Sequence, residues 1–244
     1  MPELKDLLVT VGTEIENCEE VVWKVAPLFA TWISQTSNLL FRNDILHAKS
    51  SVLELGCGIS GITALAMRSL VGSYLLTDQT YVMKLLNQNL EENSNMKAAK
   101  LPTKKSKGRN INGCKKNMGD DRSPNYISNI SAIPLDWETD EVTHQLSEVS
   151  QNKGFDVIVA TDCIYNDALI QPLVNTCADA CKLRSLANGL PTVCIFAQQL
   201  RSFEVFEKWL KSFSQKFIVW RVLDSELTEG LRMGSGFVVH LGIL

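Results

Sequence analysis

The residues able to do chemistry in this chain stand at the ends of short apolar runs. Between Ser51 and Gly61 the sequence SVLELGCGISG passes from an apolar run into three glycines, Gly56, Gly58 and Gly61. That spacing suits a tight turn whose backbone N–H groups approach a ligand closely, and a glycine-rich turn with no ligand is the bland alternative. Asp78 follows about one strand–helix unit later, where a carboxylate can accept hydrogen bonds from both hydroxyls of a ribose. A nicotinamide dinucleotide domain would explain this much. Glu54 argues against it, because a carboxylate just before the loop repels a pyrophosphate and attracts an ammonium. The ligand with a ribose, an ammonium and no phosphate is S-adenosyl-L-methionine.

Two further strand ends add polar groups. Ile130 to Leu135 leads into Asp136 and Trp137, a carboxylate for an adenine's exocyclic amine beside an indole to pack on its ring. Phe155 to Ala160 (FDVIVA) delivers Thr161, Asp162 and Tyr165. Open α/β sheets bind ligands outside the carboxyl ends of their strands, so four successive strands ending in polar groups define one candidate site. The bland account, in which each is an ordinary cap or loop residue, must hold four times; for Asp162 it would mean capping a helix that begins near Asn166.

The elements that must position these groups follow from periodicity. A helical stripe runs from Val21 to Ile33, with Trp23 either in the core or lining a cofactor cleft. Strands are expected at 52–55, 73–77, 130–135, 155–160, 192–197, 217–223 and 237–241, the 155–160 strand at the sheet's centre. Helices are expected at 62–70, 81–92, 138–149, 167–186 and 203–213. No helix-length segment separates the last two strands, so they should pair antiparallel. Leu7 to Val11 is a candidate strand in a short lead-in.

Length and composition bound the rest. The 244 residues, 45% hydrophobic, suit one domain spanning 1–244, interrupted at about 95–129 by a polar, Lys-rich insertion. Nine Lys or Arg against two Asp between Lys97 and Arg122 put about +7 there, leaving about −10 elsewhere within a net −3. An acidic body favours a basic protein partner over nucleic acid, although the insertion itself could contact RNA. The insertion is expected to be dispensable for folding. Seven cysteines without a paired framework and no secretion-like leader point to a reducing cytosolic or nuclear setting. Cys177 and Cys181 lack a second ligand pair for a metal and read as small core residues. His47, His144 and His240 are isolated and take no catalytic role, and no apolar run approaches the roughly 18 residues needed to span a bilayer.

With ELGCG at Glu54 to Gly58, Asp78, LDW at Leu135 to Trp137 and D-x-x-Y at Asp162 to Tyr165 in this order, the chain resembles class I, seven-β-strand methyltransferases. Within them it is similar to the lysine methyltransferase-like family 16, over about Val21 to the carboxyl end apart from the insertion. The resemblance implies a three-layer, Rossmann-like α/β sandwich with a seven-stranded, mostly parallel sheet whose last strand is antiparallel. It implies that Gly56, Cys57 and Gly58 pass under the cofactor's methionine end, that Asp78 takes the ribose hydroxyls and that Trp137 borders the adenine. Thr161 would contribute near the methionine part, Trp23 would close the cofactor site, and Asp162 and Tyr165 would border the acceptor lysine. The activity so implied is transfer of a methyl group to a lysine of a cytosolic protein such as a ribosomal protein, elongation factor or chaperone, by a monomer. Asp162 would attract the ammonium and Tyr165 would border its stem. Transfer to histidine, arginine or a small molecule, and a non-catalytic cofactor-binding scaffold, are the alternatives.

Overall fold

The computed structural model describes residues 24–95, 129–150, 154–184 and 190–244. Trp23, the candidate strand at 7–11 and the basic insertion lie outside the described residues. The core is a seven-stranded sheet in the order β3-β2-β1-β4-β5-β7-β6. Its strands are β1 (Ser51–Leu55), β2 (Ser73–Asp78), β3 (Ile130–Pro134), β4 (Val157–Thr161), β5 (Val193–Gln199), β6 (Ile218–Arg221) and β7 (Phe237–Ile243). All neighbours from β3 through β5 pair parallel, and β7 runs antiparallel to both β5 and β6. β4 is the middle strand, as its unbroken apolar sequence requires, and every residue of β1 and β4 is buried.

Alternation sorts the side chains into two layers. Val52, Val157, Val159 and Ile195 face α1 (Val25–Ile33), α3 (Ile62–Met67) and α4 (Met83–Asn95), where Phe29, Trp32, Leu65 and Leu86 complete one core. Leu53, Leu55, Ile158 and Phe196 face α5 (Asp167–Lys182) and α6 (Phe203–Ser214), where Leu173, Val174, Trp209 and Phe213 complete the other. Pro27 sits in the first turn of α1, where its missing N–H has no helical partner to lose. A short helix, α2 (Leu39–Arg42), is capped by Asn38, whose side chain accepts from the Leu40 and Phe41 N–H groups.

One predicted element is wrong. No α-helix covers 138–149; a turn is followed by a 3₁₀ segment at His144–Ser150. The Asp140 carboxylate folds back to accept the Asp136 N–H at 2.7 Å, a side-chain bond that competes with a helical start. Among the side chains of this segment that are described, only Leu146 is buried in the apolar core, too little to hold a helix against the sheet. Cys177 and Cys181 pack as core residues, the Cys181 thiol 3.5 Å from that of Cys194. Among the described residues no acid, His or Cys cluster could hold a metal, and no helix is long and apolar enough to cross a membrane.

Candidate active site

Four strand ends meet at the carboxyl edge of the sheet, and the loop after β1 is the floor. Gly56, Gly58 and Gly61 all have positive φ, at 65°, 63° and 55°. The turn is tied to β2: the Cys57 N–H donates to the Thr77 carbonyl at 3.1 Å, and the Gly58 N–H donates to Asp78 Oδ2 at 2.7 Å. The Gln79 N–H donates to Asp78 Oδ1 at 2.8 Å, so the carboxylate is fixed beside the glycine loop. The two glycines of G-C-G differ in what surrounds them. A Cβ on Gly56 would come within 2.7 Å of the Cys163 sulfur and 2.9 Å of the Trp137 ring, whereas one on Gly58 would meet nothing within 4 Å. Gly58→Ala should cost only the left-handed backbone penalty of roughly 1–2 kcal/mol. Gly56→Ala should cost that and displace Trp137 as well, so its melting temperature should fall further and its cofactor binding should suffer more; equal losses would count against this packing.

Glu54, Gly56, Cys57, Gly58, Asp78, Trp137, Thr161, Asp162 and Tyr165 line one cavity of about 230 Å³. Asp136 stands in an adjoining hollow of about 50 Å³, with Asp78, Trp137 and Tyr165 as shared walls. Its carboxylate accepts from the Gln79 side chain at 3.2 Å and from the Glu138 N–H at 3.0 Å. Sequence reasoning missed Ala26, Thr63, Tyr81 and Cys163, which also line the cavity. Tyr81 carried a signal, lying three residues beyond Asp78 at the same sheet edge.

Glu54 is buried under the cavity, and the Tyr74 hydroxyl donates to its Oε2 at 2.8 Å. Burial pushes its carboxyl up to about 7 from 4.5, against the pull of that hydrogen bond. Asp162 has left-handed backbone, φ 59°, and a side chain with no exposed surface. Its carboxylate turns toward the end of β5: Oδ1 accepts from Gln198 Nε2 at 2.9 Å and from the Gln199 N–H at 3.2 Å, and Oδ2 pairs with Arg201. It does not cap the following helix, since the Asn166 side chain does so by accepting the Ala168 N–H at 3.1 Å. Tyr165 is 57% exposed at the cavity's rim.

Buried polar atoms on the cavity wall, Thr63 Oγ1, Trp137 Nε1 and Thr161 Oγ1 among them, have no hydrogen-bond partner among the described residues. Native proteins leave few such groups, so several on one wall mark a place where a polar ligand completes the bonding. Adenosine with an amino-acid tail fits these residues: carboxylates for the ribose and the ammonium, an indole beside the base and a hydroxyl free to bond.

The family model described as lysine methyltransferase matches residues 5–107 and 107–213. The chain belongs to the lysine methyltransferase family. A ribosomal lysine N-methyltransferase 5 of Vanderwaltozyma polyspora is 28% identical over 216 residues, covering 78% of this chain and 64% of that protein. A diaminohydroxyphosphoribosylamino-pyrimidine deaminase of Schizosaccharomyces pombe is 30% identical over 228 residues, covering 93% of this chain and 45% of that protein. The chain thus spans less than two thirds of the length of either relative. Among solved structures, an O-methyltransferase of Bacillus cereus in complex with SAH shares the fold, with a TM-score of 0.52 at 12% identity, over 99% of this chain and 90% of that one. Residues of this chain's own D-x-x-Y and E-L-G-C-G segments meet at the cavity.

Proposed function

We propose that this protein is an S-adenosyl-L-methionine-dependent protein-lysine N-methyltransferase. The observation that carries the reading is the cavity at the sheet's carboxyl edge, which gathers Glu54, the glycine loop, Asp78, Trp137 and Tyr165 in a chain of this family. Asp78 would hold the ribose diol, Asp136 and Trp137 the adenine, and Gly56, Cys57, Gly58 and Thr161 the methionine part. Glu54 would face the ammonium. The cofactor, when bound, supplies an electrophilic methyl group on a sulfonium. The protein's task is to bring an amine in line and keep it unprotonated.

A free lysine has a pKa of roughly 10.4, so the acceptor must shed a proton before attack. Desolvation beside the Tyr165 ring would lower that pKa without any strong base. Tyr165 would border the lysine stem and accept or donate a hydrogen bond at the nitrogen. Asp162 is assigned a positioning role, because its charge is already matched by Arg201 and its carboxylate faces β5. This differs from the direct contact with the ammonium expected from sequence.

The name of the yeast relative favours a ribosomal protein as acceptor, which would place the enzyme in the cytosol. The deaminase name has less support, because the chain contains neither H-x-E nor P-C-x-x-C, the ligand pattern of zinc-dependent nucleobase deaminases. Incubating the protein with methyl-tritiated S-adenosylmethionine and lysate from cells lacking it should label a protein at lysine. Label on histidine or arginine, or on no protein, would overturn the assignment. In the same preparation Asp78→Ala should weaken S-adenosylhomocysteine binding by about 1–3 kcal/mol, read by calorimetry.

A further inference from the structure

The ladder between β4 and β5 ends at the Thr161–Ala197 pair, and the chain then turns sharply at Asp162, whose N–H still donates to the Ala197 carbonyl at 2.8 Å. One side chain pairs the backbone of the turn that follows. Gln198 is 2% exposed; its Oε1 accepts from the Ile164 N–H at 3.0 Å, and its Nε2 donates to the Ile164 carbonyl at 3.0 Å. The amide therefore pairs both backbone groups of Ile164, as a neighbouring strand would. The same Nε2 lies 2.9 Å from Asp162 Oδ1. Cys163 and Ile164 are anchored as well, Cys163 by its thiol donating to the Leu55 carbonyl at 3.3 Å and Ile164 by burial in the core under α5. Tyr165 comes next, and its side chain is the first of the turn to be exposed at the cavity.

We infer that Gln198 is a positioning residue for the acceptor side of the site, fixing Tyr165 at the cavity mouth by acting as a surrogate strand for Ile164. This rests on the methyltransferase reading above. Gln198 does not line the cavity, so its effect on the cofactor is indirect and small. A side chain kept only for packing here would be apolar, since a buried amide is tolerated only when its donors and acceptor are all used. Both ends of the Gln198 amide are used on the turn between β4 and Tyr165, and Nε2 also donates to the Gln199 carbonyl at 3.1 Å. The inference separates cofactor binding, which depends on β1 and β2, from acceptor alignment, which depends on the β4–β5 junction.

The test uses the full chain with Gln198→Leu, which removes both bonds, and Gln198→Glu, which keeps the acceptor for the Ile164 N–H but repels Asp162. Three readouts are compared with wild type: S-adenosylhomocysteine affinity by calorimetry, tritium transfer to lysate protein at varied cofactor concentration, and hydrogen exchange at the Ile164 amide. In each variant that folds, affinity and the cofactor KM should stay within about threefold. The rate at saturating cofactor should fall tenfold or more. Ile164 exchange should quicken at least tenfold in the Leu variant and much less in the Glu variant. An unchanged rate despite quickened exchange would overturn the inference, as would parallel losses of affinity and rate, or an Ile164 amide that stays protected without Gln198. If the wild type itself transfers no label, the methyltransferase reading fails, and the exchange arm alone then judges whether Gln198 holds the turn.

Discussion

Asp162→Ala should lower the melting temperature by roughly 6–12 °C, the equivalent of about 3 kcal/mol in a domain of this size. The carboxylate has no exposed surface and serves three partners, so its removal takes an acceptor from the Gln198 amide, the Gln199 N–H and the Arg201 guanidinium together. Arg201 is about one third exposed and can regain water, which holds the loss at the lower end for a broken buried pair. Alanine also tolerates the left-handed backbone at this position poorly, whereas asparagine tolerates it well. Asp162→Asn is therefore the sharper variant. It keeps the backbone and one oxygen acceptor, and it replaces the charged oxygen that Arg201 faces with an NH2 donor. If Asp162 acts through the turn, Asn should lose stability yet retain much of its methyl transfer, and adding Arg201→Met should recover part of the lost melting temperature. Should Asp162 instead face the acceptor ammonium, Asn would abolish transfer and the second substitution would restore nothing. A double-mutant cycle read by both melting and transfer distinguishes the two.

That distinction was not available from sequence, and the reason is physical. Asp162 was legible as a site residue because it ends the most apolar strand of the chain, and strand ends of a parallel sheet share an edge. Which way its carboxylate turns depends on Gln198 and Arg201, 36 and 39 residues away, and no local pattern joins them. The glycine loop and Asp78 were legible for the opposite reason: the Gly58 N–H to Asp78 bond links neighbours within one strand–helix–strand unit. Thr63 reaches the cavity from the start of α3, where a threonine has no special spacing. The expected helix at 138–149 failed because Val142 and Leu146 give a helical spacing that the Asp140 turn and the thin apolar content do not sustain. The antiparallel pairing of the last strands followed from the short connection between them. The insertion of β7 between β5 and β6 did not, since pairing partners beyond the hairpin are set by which edge is still open.

Glu54→Gln should stabilise the cofactor-free protein above neutral pH while crippling its use of the cofactor. Glu54 is fully buried with its carboxyl raised from 4.5 to about 7, so the folded state holds a proton that the unfolded chain releases near 4.5. Stability from this group is complete below pH 4.5 and is lost as pH rises through 7, a loss of about 3 kcal/mol for a rise of that size. Glutamine carries no charge to bury and can still accept the Tyr74 hydroxyl. Its melting temperature at pH 8 should exceed that of wild type by several degrees, and the two should converge toward pH 4.5. The comparison must be made as a difference, because His240, held down to about 4 chiefly by burial and next by Arg221, works in the opposite sense. Its contribution is lost as pH falls from 6.5 toward 4, and it is common to both proteins. Binding should move the other way from stability. A cation placed over Glu54 favours the ionised carboxyl, so S-adenosylmethionine affinity in the wild type should rise with pH through 7 and binding at pH 6 should release a proton. The Gln variant loses a charge-assisted contact, about 1.5–3 kcal/mol or roughly 10- to 150-fold in affinity, and its binding should no longer vary with pH in that window. A Gln variant that binds S-adenosylmethionine as tightly as wild type at pH 8 would remove Glu54 from the cofactor site, leaving its raised carboxyl as a burden that the fold carries for another reason.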